Sequence, residues 1–200
     1  MVPGTMIMPI RWFERTWTFS LPAGAFPAVL ERLRGTPARA AALTSGVSED
    51  ILSTRVGGTW SAKEHLAHLD DLHDLDEKRF DEFLARAGTL AAADLTNQRT
   101  HAANHNATTV SQILSRLQSH REALVARMEA ATAEDVDVVC VHPRLKQGLR
   151  LIDWAYFVAE HDDHHLVGAR LAIRSASTTS LRSPAIVSEA PAGKPSPPGE

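Results

Sequence analysis

Apolar residues recur every three or four positions in four long stretches of the chain. This spacing places them on one face of a helix, so each stretch predicts a helix with one buried side. A long polar connection over residues 96–106 implies a crossover between helices instead of a tight turn. The pattern therefore predicts an all-α four-helix bundle. The predicted helices span residues 24–43, with an interruption near 36, and about 61–85, 108–131 and 151–174.

Two of these helix starts are marked by particular residues. Ser61 and Glu64 have the spacing of a capping box, in which each side chain binds a backbone N–H of the first turn. Thr36-Pro37 is typical of an N-cap followed by proline at the first helical position. The first stretch is therefore either one kinked helix or two helices.

Three segments do not show helical periodicity. Residues 136–141 are rich in β-branched side chains and lie just before His142-Pro143, which predicts a short extended segment. Residues 12–19 are rich in Trp, Phe and Thr and predict a short strand or an extended arm. Residues 176–200 collect Pro, Ser, Thr, Ala and Gly without a periodicity that would bury a face, which predicts a disordered tail after a single domain over residues 1–175.

Charge and cysteine content exclude several classes of function. The net charge is −3, and Lys and Arg form no clustered run, so nothing indicates a nucleic-acid partner. No apolar run approaches the roughly 18 residues that a membrane-spanning helix needs. The single cysteine, Cys140, rules out an intramolecular disulfide and a multi-cysteine metal site. These features predict a cytoplasmic protein.

The candidate chemistry lies in the fourth predicted helix, at His161-Asp162-Asp163-His164-His165. His161 continues the apolar stripe that begins at Trp154, so it points into the bundle. His165 follows it by four residues and His164 by three, and both spacings are compatible with the same helix face. Periodicity alone therefore leaves open which of these two accompanies His161.

A third histidine lies on the second predicted helix. His68 shares a core-facing stripe with Leu72 and Leu75, so it can meet His161 across the bundle. Three buried imidazoles without a partner are unfavourable, because each carries polar nitrogens. One metal ion satisfies all three and leaves an open coordination position, as in catalytic sites. His65 and His164 are expected either to have structural roles or to support the ligands. The histidines expected to be purely structural are His73, His101, His120 and His142.

Two segments carry a resemblance to a known family. Residues 60–69, WSAKEHLAHL, are similar to the W-S-x-x-E-x-x-x-H-L signature of the DinB-like superfamily of metalloenzymes, and residues 157–166, FVAEHDDHHL, resemble its second signature. The resemblance extends over about residues 12–174. It implies a four-helix bundle of up-down-down-up connectivity and a divalent metal, zinc or nickel most often. It also implies that the ligands are His68, His161 and His165.

The resemblance implies more than one activity on a small-molecule substrate. Members of known activity transfer or isomerise groups with a low-molecular-weight thiol, so a thiol-dependent S-transferase or isomerase is the first hypothesis. A metal-dependent hydrolase is the second, and a non-catalytic metal-binding module the third. We also expect a homodimer, partly because the aromatic residues Trp12, Trp17 and Phe19 of the arm would otherwise lack cover.

Further polar residues near the histidines have two readings each. Five acidic residues either fix the imidazole tautomers or form a solvated face, and Asp162 and Asp163 are the strongest candidates for the first role. Polar residues of the long connection either line a substrate entrance or form an ordinary loop. Three arginines are available to bind a carboxylate-bearing thiol. The three sets are Asp70, Asp71, Glu160, Asp162 and Asp163; Asn97, Thr100, Asn104, His105 and Asn106; and Arg79, Arg121 and Arg150.

Overall fold

The structure of the protein is a computed structural model, and it describes residues 7–182. Helices dominate the described chain. A two-stranded antiparallel sheet lies in the sequence between the last two helices. The elements are α1 (Phe26–Arg34), α2 (Thr36–Thr44), α3 (Glu49–Ser53), α4 (Ala62–Asp71), α5 (His73–Leu84), α6 (Gln98–Ala102), α7 (Val110–Glu129), α8 (Ala133–Val136), β1 (Val139–His142), β2 (Gln147–Arg150) and α9 (Leu151–Arg182).

The bundle is formed by α1 with α2, α4 with α5, α7 and α9. Helix α4 packs against both α7 and α9, and α1 packs against the same two helices. Large side chains such as Phe80, Leu117 and Trp154 fill the interior and are almost completely buried. Burial of each such side chain contributes about 1.5–3 kcal/mol. This packing gives α4 and α9 fixed positions side by side.

The first and second predicted helices are each divided in two. Gly35 separates α1 from α2, and Leu72 separates α4 from α5. The predicted N-cap at Thr36 was wrong by one residue, because Gly35 occupies that position and Thr36 begins the helix. The capping box of Ser61 and Glu64 is confirmed, with both reciprocal hydrogen bonds present.

The predicted extended segment is one strand of a hairpin. Strand β1 pairs with β2 in antiparallel register, with Cys140 opposite Leu149 and His142 opposite Gln147. The partner strand was not predicted, because its residues show no apolar alternation. Lys146 has a positive φ of 54° in the turn. The hairpin places His142 and Arg144 beside the bundle.

The aromatic arm lies on its own bundle. Residues 12–14 form a short 3-10 turn and no strand. The rings of Trp12 and Trp17 pack on Phe157 of α9, with centroid distances of 5.0 and 4.9 Å, and Arg15 pairs with Glu160 at 3.1 Å. The arm is thus partly covered within one chain, which removes that argument for a homodimer. The homodimer itself stays a prediction.

Helix α9 continues well past its predicted end at residue 174. It reaches Arg182, with Ala176 buried and the Ser177 hydroxyl donating to the carbonyl of Ile173 at 2.8 Å. The predicted tail was therefore wrong for residues 176–182, and residues 183–200 lie outside the described residues. Among residues 7–182, no helix is both long enough and apolar enough to cross a membrane.

Candidate metal centre

His68 of α4 and His161 and His165 of α9 meet inside the bundle. One ring nitrogen from each lies within 4.8 Å of those of the other two. The Nε2 atoms of His161 and His165, one helical turn apart, are separated by 3.1 Å. His164, the alternative that periodicity left open, is not part of this cluster. The structure therefore brings together the three histidines that the resemblance implied.

A hydrogen-bonded chain fixes the orientation of His68. Its Nδ1 lies 2.9 Å from the hydroxyl oxygen of Thr100, and that hydroxyl donates to the Asp71 carboxylate at 2.7 Å. Because the hydroxyl proton is used on Asp71, the hydroxyl oxygen accepts from His68, so Nδ1 carries the imidazole proton. His105 bonds to the same carboxylate oxygen at 2.9 Å. The lone pair of His68 is consequently left on Nε2, free to bind a metal.

His165 has its own supporting partner, His65. Their Nδ1 atoms are 3.1 Å apart, so His165 donates from Nδ1 when its Nε2 lone pair is directed to the cluster. The His65 ring lies against Gly168, where a Cβ atom would be 2.4 Å from the ring. Glycine at this position therefore leaves the space that His65 occupies. His65 acts as a partner of a candidate ligand, one of the two roles predicted for it.

Two tryptophans enclose the cluster. The ring of Trp60, just before α4, lies 5.1 Å from His68 and 5.8 Å from His165, measured between centroids. The ring of Trp12 lies 4.8 Å from His161. These aromatic walls restrict the rotation of the imidazoles.

Burial keeps the three imidazoles neutral. Desolvation lowers the pKa of His68 to about 4, and it holds the pKa of His161 and of His165 well below the ordinary value of 6.5. A metal ligand must be unprotonated, so the lone pairs are available over the whole neutral range. Three neutral imidazoles suit zinc and nickel better than magnesium or calcium, which prefer oxygen. The residues present therefore fit a transition-metal ion.

The cluster forms one wall of a cavity of about 340 Å³. Apolar side chains from α4, α5 and α9 line much of it. Charged groups line the remainder, and burial raises the pKa of the Asp76 carboxyl to about 6. The charged or polar residues that line the cavity besides the histidines of the cluster include Asp76, Arg79, Asp94, Asn97, Arg121, His142 and Arg144.

The predicted roles of Asp162 and Asp163 were wrong. Asp162 is completely buried and binds the Thr36 hydroxyl at 2.7 Å and Arg121 at 2.9 Å. Asp163 pairs with Arg32 and Arg39. Both carboxylates thus connect α9 to neighbouring helices and neither binds a candidate ligand. Among the acidic residues predicted, Asp71 reaches a candidate ligand, through Thr100.

Of the other candidate residues, some line the cavity and others form contacts elsewhere in the fold. Asn97 lines the cavity, whereas the Asn106 side chain accepts a hydrogen bond from Ser61 at 2.6 Å and so supports the start of α4. Arg150 pairs with Asp153 and does not line the cavity. Arg79 and Arg121 do line the cavity.

Among the lining residues that sequence reasoning did not assign to the site are Asp76, His142 and Arg144. Asp76 continues the stripe of Leu72 and Leu75 on the second predicted helix, so its position in an apolar face was a usable signal. His142 and Arg144 belong to a hairpin turn, where no periodicity indicates which way a side chain points.

We expect Thr100→Val to weaken metal binding by about 10–100-fold, the usual effect of removing a partner of a ligating histidine. Valine keeps the shape of threonine but cannot accept from His68, so the ring loses its fixed tautomer. Competition with a chelator of known affinity measures the change. Thr178→Val, on the exposed end of α9, is the control, and an unchanged affinity in Thr100→Val would contradict the proposed orientation of His68.

Comparisons with known proteins agree with this architecture. A family model described as the DinB superfamily matches residues 32–167. The fold is similar to that of YfiT from Bacillus subtilis, with a TM-score of 0.70 and 19% sequence identity over 85% of this chain and 95% of that chain. YfiT is described as "a probable metal-dependent hydrolase with an unusual four-helix bundle topology". A search of curated proteins found no match. The predicted four-helix bundle is confirmed.

Proposed function

The chain belongs to the DinB superfamily, and from this we propose that it is a metal-dependent enzyme that hydrolyses a small molecule in the cavity beside His68, His161 and His165. The observation that carries the proposal is that the three imidazoles and the buried carboxyl of Asp76 line the same cavity. A Lewis acid and a proton acceptor are the two groups that metal-assisted hydrolysis needs.

His68, His161 and His165 are the proposed ligands of one divalent ion, zinc or nickel. Three protein ligands leave a coordination position for a water or a substrate, as in catalytic sites. Such an ion, when bound, supplies Lewis-acid chemistry: it polarises a carbonyl or phosphoryl oxygen and promotes ionisation of water. Asp71 through Thr100 holds the ring of His68 in the required tautomer, and His65 does the same for the ring of His165.

Asp76 is the proposed proton acceptor. Its carboxyl is buried, and desolvation raises its pKa to about 6 despite the nearby charges of Arg121 and Arg79. A carboxyl with this pKa is ionised above pH 6 and can still hold a proton for transfer to a leaving group. Its position on α5 sets it in the wall of the cavity without making it a metal ligand.

A thiol-dependent S-transferase or isomerase is the second candidate. The arginines of the cavity wall, Arg79, Arg121 and Arg144, would suit the carboxylate of a low-molecular-weight thiol. In that case the ion would serve to ionise the thiol, and turnover would require the thiol as co-substrate. A non-catalytic metal-binding module is the third, and it predicts metal binding without turnover.

Turnover of an ester, amide and phosphoester panel by the zinc- or nickel-loaded protein tests the proposal. We expect thiol-independent hydrolysis whose rate rises with pH through about 6, because Asp76 must lose its proton to act as a base. Asp76→Asn should lower kcat at least a hundredfold and leave metal content unchanged. Asp74→Asn, an exposed carboxyl on the same helix, is the matched control.

Two other results would replace the hydrolase. Turnover that requires an added thiol, with a new sulfur-to-metal charge-transfer band in the cobalt-substituted protein, supports the transferase or isomerase. Full metal occupancy without turnover under either condition supports the non-catalytic module. Equal kcat in Asp76→Asn and in the unmodified protein would reject Asp76 as the base.

A further inference from the structure

Two arginines on the cavity wall pair with no carboxylate among residues 7–182. Arg79 is buried and donates from Nε and Nη2 to the carbonyl of Ala91, at 3.0 and 2.8 Å. Arg144 lies over the rings of Phe13 and Phe157, each 5.4 Å from the guanidinium carbon, and its Nη2 is buried without a hydrogen-bond partner among the described residues. Within residues 7–182 neither guanidinium forms an ion pair, and desolvation lowers the pKa of both.

His142 adds a third hydrogen-bond donor to the same wall. Its Nδ1 accepts a hydrogen bond from the backbone N–H of Leu145 at 3.3 Å, so the proton of the neutral ring is on Nε2. Nε2 is buried, and it has no partner among residues 7–182. After desolvation, the charges of Arg79 and Arg144 are the largest influences lowering the pKa of His142 to about 4. His142 and Arg144 both contact the Phe157 ring, at 5.1 and 5.4 Å from its centroid, and Arg79 lines the same cavity.

The charges of the cavity do not balance. Arg79, Arg121 and Arg144 contribute three positive charges, and the exposed Arg11 and Asp94 at the cavity entrance carry opposite charges that cancel. Asp162, paired with Arg121, and Asp76, ionised above pH 6, contribute two negative charges. The buried and half-buried groups thus leave one positive charge without compensation. An unpaired charge and an unpaired donor are both costly in a low-dielectric interior, so the wall is suited to one anion.

We propose that Arg79, Arg144 and His142 form a subsite for a single carboxylate of the substrate. Guanidinium groups and an imidazole N–H all donate to carboxylate oxygens. Leu72, Leu75 and Phe157 line the same cavity and provide contacts for an apolar body attached to that carboxylate. This inference rests on the proposed function, because it assigns the part of the substrate that is held while another part reaches the histidine cluster.

Calorimetry with hexanoate and its uncharged analogue hexanamide tests the subsite at pH 7.5. Hexanoate should bind both the metal-free and the zinc-loaded protein, and hexanamide at least tenfold more weakly. Arg79→Gln and Arg144→Gln should each weaken hexanoate binding at least tenfold and leave zinc stoichiometry unchanged. Lys78→Gln removes an exposed positive charge next to Arg79 in the sequence and should change neither.

Binding to the metal-free protein separates this inference from the proposed metal chemistry. Hexanoate binding that requires zinc and is unchanged in Arg144→Gln would place the carboxylate on the ion and overturn the subsite. Equal affinity for hexanamide, or no saturable binding of hexanoate at millimolar concentration, would also overturn it. Arg144→Lys keeps the charge but loses the planar pair of donors, so we expect it to fold like the unmodified protein and bind hexanoate with intermediate affinity.

Discussion

Replacing His161 with alanine is expected to abolish stoichiometric metal binding. His161 is one of the three candidate ligands: its Nε2 lies 3.1 Å from that of His165, and its ring centroid lies 5.4 Å from that of His68. Removal of one imidazole leaves two nitrogens, and we expect metal affinity to fall at least a hundredfold. Metal analysis of untagged protein after dialysis measures the occupancy, and the same variant should lose all turnover.

His73→Ala is the control for this experiment. His73 stacks on His120 with a centroid distance of 3.9 Å, and neither belongs to the cluster within 4.8 Å. Its removal should leave metal stoichiometry unchanged. Full occupancy in His161→Ala, or equal losses in both variants, would show that the cluster is not the metal site.

The positions of the candidate ligands could be predicted because helical periodicity determines which face a residue occupies. His68 and His161 each continue an apolar stripe, and the interior of a bundle is where such stripes meet. The choice between His164 and His165 could not be made in this way. It depends on small rotations of α9 against α4, and the structure buries His165 beside His68 while His164 lies under Trp12 at 5.6 Å.

The supporting residues were harder to predict than the ligands. Asp71 and Asp162 both lie within three residues of a candidate ligand, yet Asp71 serves His68 through Thr100 and Asp162 binds Thr36 and Arg121. The sequence does not show that Thr100 of α6 lies beside Asp71, nor which helices face Asp162. Such contacts are long-range, so local pattern carries no information about them.

The cavity wall shows the same limit. Positions in the β1–β2 hairpin are set by its turn, where Lys146 adopts a positive φ, and by its packing against the bundle. His142 and Arg144 therefore enter the cavity without any signal in the apolar pattern. Tertiary packing also explains why α9 continues past residue 174. Ala176 is buried, and this burial outweighs the weak helix preference of the Ser- and Thr-rich segment.

Acidification from pH 6.5 towards 4 is expected to unfold the metal-free protein. Burial lowers the pKa of His65, His68 and His142 from 6.5 to about 4 in each case. The folded state therefore binds fewer protons than the unfolded state in this window. The free energy of unfolding is therefore at its full value above pH 6.5 and decreases as pH falls towards 4. The decrease amounts to about 3 kcal/mol per imidazole, so three imidazoles together approach a typical total stability of about 5–15 kcal/mol.

Urea unfolding at several pH values measures this loss, and His142→Leu tests its origin. His142 is not a proposed metal ligand, so the variant retains the cluster. Its free energy of unfolding should fall less steeply with decreasing pH between 6.5 and 4, by the contribution of about one proton. Zinc should shift the transition to lower pH, because it binds the folded state and competes with protons for the same nitrogens. If the free energy of unfolding of the metal-free protein does not change between pH 6.5 and 4, these imidazoles are solvated. If it changes with pH as steeply in His142→Leu as in the unmodified protein, His142 does not contribute to the acid sensitivity.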